Sequence, residues 1–353
     1  MFRWRTNLCV ILFIVFIIGI HKSFAGVVNP DISVIGQIIS NRTDDASSEN
    51  ANTSTLNLGE TEIVVDGYLN PYAKGFFVFA IEDGKIETEE AYLTIFKGLP
   101  DGFALKGGKY RVSFGKLNPV HPHAYSFISA PRVMAEMLPG EESFNETGVQ
   151  ASFLLPAFGN CASVISGDII NGSSFHPDET KESSGWAGRL SNSLLINDTT
   201  PLEIGASATQ GTNNVKWGTK TLVCGVDCKT KIKFSPFTTL TLQGEYFYNK
   251  SDIVTDNDTG SFSNIVRDGF YAFADLNFWQ RWNGGVIYDR YNPLHDKNLR
   301  DSAVKYFVGY SLLEETTLFR LAYEQFMPEG SDVVNTVTFQ VVFSIGPHKA
   351  HQF

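Results

Sequence analysis

The chain has 353 residues, too few for a 22-stranded energised receptor with its plug. Its composition, 13% aromatic and only 19% charged with 31 glycines and 14 prolines, suits a β-rich protein; 43% hydrophobic is ordinary for a soluble domain and does not by itself indicate a membrane. The formal charge of −10 argues against a nucleic-acid partner, which would favour a basic stripe.

The amino terminus reads as a secretory signal peptide. Arg3 and Arg5 supply the positive start, residues 8–20 form an apolar run too short to span a bilayer as a helix, and Ser23 and Ala25 are small residues at the cleavage positions. An uncleaved anchor is the rival reading, and Cys9 lies too early for a lipid-modified cysteine at the cleavage site. Cleavage after Ala25 removes Arg3, Arg5 and Lys22, takes the formal charge from −10 to −13, and leaves residues 26–353 as one domain. That domain has no second apolar run of 18 residues, so any membrane span in it is made of strands.

Along the chain the dominant period is two. In residues 222–234, Leu222, Cys224, Val226, Ile232 and Phe234 alternate with Asp227, Lys229, Lys231 and Lys233. Cys224 and Cys228 share one face roughly 13 Å apart, beyond disulfide reach, and are expected to face lipid; a bridge from Cys161 to one of them stays open. In residues 237–249, Leu240, Leu242, Tyr246 and Tyr248 alternate with Thr239, Thr241, Gln243 and Glu245. Three further runs follow. Val304, Tyr306, Val308 and Tyr310 alternate with Lys305 and Phe307; Phe319, Leu321 and Tyr323 with Arg320 and Glu324; Val337, Phe339, Val341 and Phe343 with Thr338 and Gln340. Pro347 ends the last run, which makes residues 346–353 a tail and puts in doubt the role of Phe353 as a terminal assembly signal.

These runs reach 10 to 13 residues, where soluble strands usually have about 5 or 6. Aromatic residues crowd their ends, as with Tyr246, Tyr248, Trp279, Trp282, Tyr288 and Tyr291. Short turns at Ser235-Pro236 and Glu314-Glu315 alternate with polar connections at residues 40–57, 117–145, 171–184, 250–264 and 292–300. Together they predict an all-β transmembrane antiparallel barrel of about 14–16 strands in the outer membrane of a Gram-negative bacterium, in preference to a soluble sandwich. Residues 117–145, stiffened by Pro119, Pro122, Pro131 and Pro139, are the segment best suited to fold into the lumen; a solvent-facing loop is the alternative.

The sequence also resembles outer-membrane porins of the phosphate-selective type and shorter porin-like proteins. The resemblance rests on Asn29-Pro30-Asp31-Ile32-Ser33, Tyr68-Leu69-Asn70-Pro71-Tyr72-Ala73, Glu89-Glu90-Ala91-Tyr92-Leu93, Gly108-Lys109-Tyr110-Arg111, Phe114-Gly115-Lys116-Leu117-Asn118, Arg281-Trp282-Asn283-Gly284-Gly285 and Tyr288-Asp289-Arg290. It implies a barrel that passes small hydrophilic solutes, anions among them, surrounded by outer-membrane lipid and assembled as a homotrimer.

Lys229, Lys231 and Lys233 form a basic row on one strand face, and Lys109, Arg111, Lys305 and Arg320 also fall on polar faces; in a water-filled pore such residues favour anions. The competing reading has Glu245, Asp289 and Glu324 neutralising them. His121 with His123, and His348 with His351, lack metal-site partners at local spacing and read as solvated loop residues, so no metal, cofactor or catalytic residue is assigned. Glu60, Glu62, Glu87, Glu89 and Glu90 read as lumen or rim carboxylates. A rim lipid hydrolase, which needs a convergent serine and histidine and for which His176 and His295 are candidates by elimination only, and a non-conducting barrel with adhesive loops are the alternatives to a non-enzymatic pore.

Overall fold

The computed structural model describes residues 30–346, apart from 141–142, 177–182, 198–199, 257 and 313–315. The expected signal peptide, the turn at Glu314 and Glu315, and the segment with His348, His351 and Phe353 lie outside the described residues.

Alternating sequence folds here into a closed antiparallel barrel. Its strands are β1 (Asp31–Thr43), β2 (Thr55–Leu58), β3 (Thr61–Asn70), β4 (Ala73–Glu82), β5 (Lys85–Ile95), β6 (Phe103–Arg111), β7 (Asn145–Leu154), β8 (Cys161–Ile170) and β9 (Gly185–Asn197). They continue with β10 (Thr200–Asn214), β11 (Thr219–Ser235), β12 (Thr238–Asp256), β13 (Ser261–Phe278), β14 (Trp282–Tyr291), β15 (Asp301–Ser311), β16 (Thr317–Met327) and β17 (Val334–Ile345). The short β2 and the following β3 pair in succession with one edge of β1, so together they occupy one of 16 positions round the barrel. The other edge of β1 pairs with β17 from Val34↔Ile345 to Thr43↔Thr336, which leaves no open sheet edge.

Register sorts the side chains into two sets. Asp227, Glu245, Tyr271, Asp289 and Ala303 oppose one another across β11 to β15 and point inward, while their neighbours Val226, Tyr246 and Phe270 form the row that points out. Exposure is inverted relative to a soluble barrel: Tyr306 and Val226 are each 55% exposed, and Asp227 and Glu245 are each 4% exposed. Such an apolar exterior around a polar interior is stable only where lipid surrounds it. Trp279, Trp282, Phe234, Phe237, Tyr68 and Tyr72 cluster, exposed, toward the short-turn rim as an aromatic girdle. Tyr291, by contrast, is buried on the lumen side. Cys161, Cys224 and Cys228 are free thiols, with Cys228 exposed on the outer face.

One connection differs from its sequence reading. Residues 250–264 look like a loop because they are polar, yet β12 and β13 pair through Ser251↔Ile265, Ile253↔Ser263 and Val254↔Phe262. Above the lipid a strand has no apolar face to maintain, so polarity there does not signal a loop.

Residues 112–140, with 143 and 144, fold into the lumen. Their neck is closed by the Val112 N–H donating to the Phe144 carbonyl, and by Asn118, whose side-chain amide donates to both Val112 and Phe144 carbonyls while accepting from the Phe144 N–H. Phe114, Leu117, Tyr125, Phe127, Val133 and Met137 then pack on Val223, Phe247, Tyr271, Phe273, Ile287 and Phe307 of the wall. The hydrophobic core therefore lies inside the barrel, between this loop and β11–β15. The loop carries a 3-10 turn (Pro122–Ala124) and a short α-helix, α1 (Arg132–Met137).

Candidate functional site: the lumen beside the inserted loop

Polar wall residues hold the loop against one side. Glu245 accepts from the Lys116 and Leu117 N–H groups at 2.8 and 2.9 Å and from the Tyr271 hydroxyl at 2.5 Å. Asp289 accepts from the Arg132 N–H at 2.7 Å, and Glu324 pairs with the Arg132 guanidinium. Lys305 donates to the Ser129 carbonyl and hydroxyl, and Arg320 donates to the carbonyls of His123 and Tyr125 and to Gln340. Glu245, Asp289 and Glu324, the carboxylates weighed against the basic residues, are thus engaged in holding the loop.

Across from that wall, between the loop and the strands from β1 to β9, lies a cavity of about 700 Å³. Its basic lining is Lys74, Lys106, Arg111, Lys116, Arg189 and Lys229, and its acidic lining is Asp31, Glu62, Asp66 and Glu90. Several bases are paired: Lys74 with Asp66 at 2.8 Å, Arg189 in a two-pronged bridge to Asp227 at 2.6 and 2.9 Å, and Lys116 with Glu203. Lys106 lies 4.9 Å over the rings of both Tyr92 and Tyr110, and among the described residues neither Lys106 nor Lys229 forms an ion pair. Burial, reinforced by the Arg189 guanidinium, holds the Lys116 ammonium below the usual lysine range. A second cavity, of about 310 Å³ against β11–β17, is lined by Lys229, Lys231 and Arg320.

The basic residues picked out by sequence separate into groups. Lys229 and Lys231 line the cavities, and Lys233 is exposed near the short-turn rim. Arg111 lines the larger cavity but is buried and bridged to Glu89 at 3.1 Å. Lys305 and Arg320 face inward as loop tethers. Lys109 is a correction: it opposes Ala91, which opposes the exposed Phe77, so it shares the outward face and donates to the Thr88 carbonyl at 2.7 Å. Phe103 and Leu105 set the outward parity of β6, and Lys109 follows them near the rim, where a lysine can reach water. Lys106, Lys116 and Arg189 escaped the sequence reading; the parity that sends Lys109 out is the signal that would have turned Lys106 in.

The histidines are a second correction, because His121 and His123 are not solvated. His123 Nδ1 lies 2.7 Å from Glu62 Oε1; His121 Nε2 lies 2.9 Å from Glu90 Oε2, and its Nδ1 lies 3.3 and 3.2 Å from Glu62 and Glu89. Burial opposes charge on His121, but the facing carboxylates of Glu62, Glu89 and Glu90 outweigh it and hold the imidazole pKa well above its ordinary value. Donor atoms of Glu62, His121 and His123 fall within 4.8 Å of one another, a grouping able to hold a metal ion. No local spacing announces it, since the carboxylates come from β3 and β5.

No protein-family model matches the chain. An uncharacterized protein of Aquifex aeolicus (strain VF5) is 28% identical over 338 residues, covering 84% of this chain and 70% of that protein. Among solved structures, the chain is similar to the trimer form of in-vitro folded OmpT, an outer membrane protein of Vibrio cholerae, with a TM-score of 0.60 and 10% identity over 90% of this chain and 99% of that one. It is also similar to the outer membrane channel DcaP of Acinetobacter baumannii (TM-score 0.58, 11% identity, 92% and 99% covered). The anion-selective porin from Comamonas acidovorans gives a TM-score of 0.56 at 10% identity, with 90% and 100% covered. The likeness establishes the fold, a porin-like transmembrane barrel.

Proposed function

We propose that this barrel is a passive channel in the outer membrane of a Gram-negative bacterium, admitting small hydrophilic solutes and preferring anions. The observation that carries the reading is the cavity of about 700 Å³ left beside the inserted loop, in which Lys106 and Lys229 have no carboxylate partner among the described residues. Cationic side chains in a narrow, low-dielectric passage lower the entry barrier for anions. The porin-like fold supports the channel, and the name of the Comamonas protein agrees with the anion preference. The resemblance to phosphate-selective porins makes phosphate the anion to try beside chloride. The trimer form of the Vibrio protein supports a homotrimer, for which crosslinking in detergent is the check.

A rim hydrolase is the weaker reading, because His176 is buried within its loop. Liposome swelling tests the channel directly. Vesicles carrying the refolded barrel should swell in small sugars, and faster in salts of small anions with an impermeant cation. Vesicles that swell no faster than protein-free ones would refute it.

A further inference from the structure

We propose that His121 and His123 of the lumen loop, with Glu62 of β3 and Glu89 of β5, form a site for one divalent metal ion of the zinc class. The ion would fasten the loop to the wall opposite its hydrophobic contacts. This proposal does not rest on the channel reading.

The case begins with atoms left over after hydrogen bonding. Glu89 Oε1 takes the Arg111 guanidinium at 3.1 Å, leaving Oε2. His121 Nε2 is occupied by Glu90 at 2.9 Å, leaving Nδ1. Glu62 Oε1 meets His123 Nδ1 at 2.7 Å, leaving Oε2. These three remaining atoms, Glu89 Oε2, His121 Nδ1 and Glu62 Oε2, are all buried without a hydrogen-bond partner. They converge: Nδ1 lies 3.2 Å from the Glu89 oxygen and 3.3 Å from the Glu62 oxygen. The side chain of Glu62 is 1% exposed.

That spacing matches the chemistry of a tetrahedral site. Ligand bonds of about 2.0–2.1 Å place adjacent donors about 3.3 Å apart. His123 supplies the fourth donor, one of its ring nitrogens lying within 4.8 Å of donor atoms of Glu62 and His121. Two imidazole nitrogens with carboxylates suit zinc-class ions and not calcium or magnesium, which take all-oxygen shells. Glu90 holds the far nitrogen of His121 as a carboxylate commonly does behind a metal-bound imidazole, presenting Nδ1 as the ligand. Charge points the same way. With both imidazoles neutral, as metal ligands must be, Glu62, Glu89 and Glu90 carry three negative charges against one positive charge on Arg111, and Glu60 brings a further carboxylate within 4.8 Å of Glu62 and Glu89. A dication between neutral imidazoles offsets that excess. His121, His123, Glu62 and Glu90 also line the large cavity, so an ion can reach the site from the lumen.

The test uses the full mature barrel, stripped with a chelator, loaded with Zn²⁺, desalted and assayed by elemental analysis, with Co²⁺ as an optical probe. One zinc per chain is expected, together with an intense four-coordinate cobalt spectrum. His121→Ala and His123→Ala should each weaken binding at least tenfold, and Glu90→Gln by about 10–100-fold, all with the barrel still heat-modifiable. On the unaltered protein, zinc should protect His121 and His123 from diethyl pyrocarbonate, a readout independent of any variant's folding. The proposal is overturned if zinc is not retained, if it survives in His121→Ala/His123→Ala, if it is lost only in His348→Ala/His351→Ala, or if the rings stay equally reactive. Those results would leave an imidazolium–carboxylate cluster only.

Discussion

Gly115 shows how much one residue of the loop is asked to do. Its φ of +63° is a conformation that L side chains rarely adopt, and a Cβ there would sit 1.9 Å from Glu245 Oε2. Glu245 cannot yield without releasing the Lys116 and Leu117 N–H groups it holds. Gly115→Ala should cost about 1–3 kcal/mol and lower the temperature at which the folded barrel shifts on a gel; an unchanged temperature would show that the loop entry is not held this way. Lys305 and Arg320 act by the same logic from the wall. Arg320→Met gives up charged hydrogen bonds to two loop carbonyls, each worth about 1.5–3 kcal/mol, and should speed proteolysis of the loop while the barrel stays intact. At this scale the sequence was partly legible. Lys229 and Lys231 could be placed from alternation alone, because apolar neighbours fix the parity of β11. Lys109 could not, because parity was assigned from its own charge and not from Phe103 and Leu105. His121 and His123 could not, because their partners are distant in sequence.

The element that shapes the lumen is the inserted loop. Phe127 anchors it, 5.3 Å from the ring of Phe273 and 5.8 Å from that of Phe307, and it is 1% exposed. Truncating such a side chain typically costs about 3–5 kcal/mol. Phe127→Ala should therefore loosen the loop from β13 and β15 without opening the barrel, whose strands keep their own ladders. Larger and noisier single-channel currents with an unchanged far-ultraviolet spectrum are the expected result; identical currents would mean that Phe127 does not set the loop position. The loop's candidacy was legible in its prolines and its length. What it packs against was not, since Val223, Phe247 and Ile287 interrupt otherwise polar inner faces and look like noise until the loop is seen on them. The upper β12–β13 hairpin is illegible for the complementary reason, that strands above the lipid lose the alternation that marks a strand.

For the whole molecule, lipid outside and water inside explain the inverted exposure, and closure between β1 and β17 explains why the first and last strands carry matching register. Barrel class was legible because a lipid-facing strand must alternate along its length, and β15, β16 and β17 do so without a break. The division of lumen charge was not, because it depends on which carboxylates the loop occupies. With Glu245, Asp289 and Glu324 engaged there, Lys106 and Lys229 form no ion pair among the described residues, and on the proposed reading they and Lys231, which lines the second cavity, are the cations that solutes meet. The reversal potential across a planar bilayer under a potassium chloride gradient tests this most directly, comparing the unaltered chain with Lys106→Gln/Lys229→Gln/Lys231→Gln. Anion preference that collapses in the triple variant but persists in Lys233→Gln, at the exposed rim, is the predicted result. Cation preference in the unaltered channel, or a potential indifferent to the triple substitution, would contradict it.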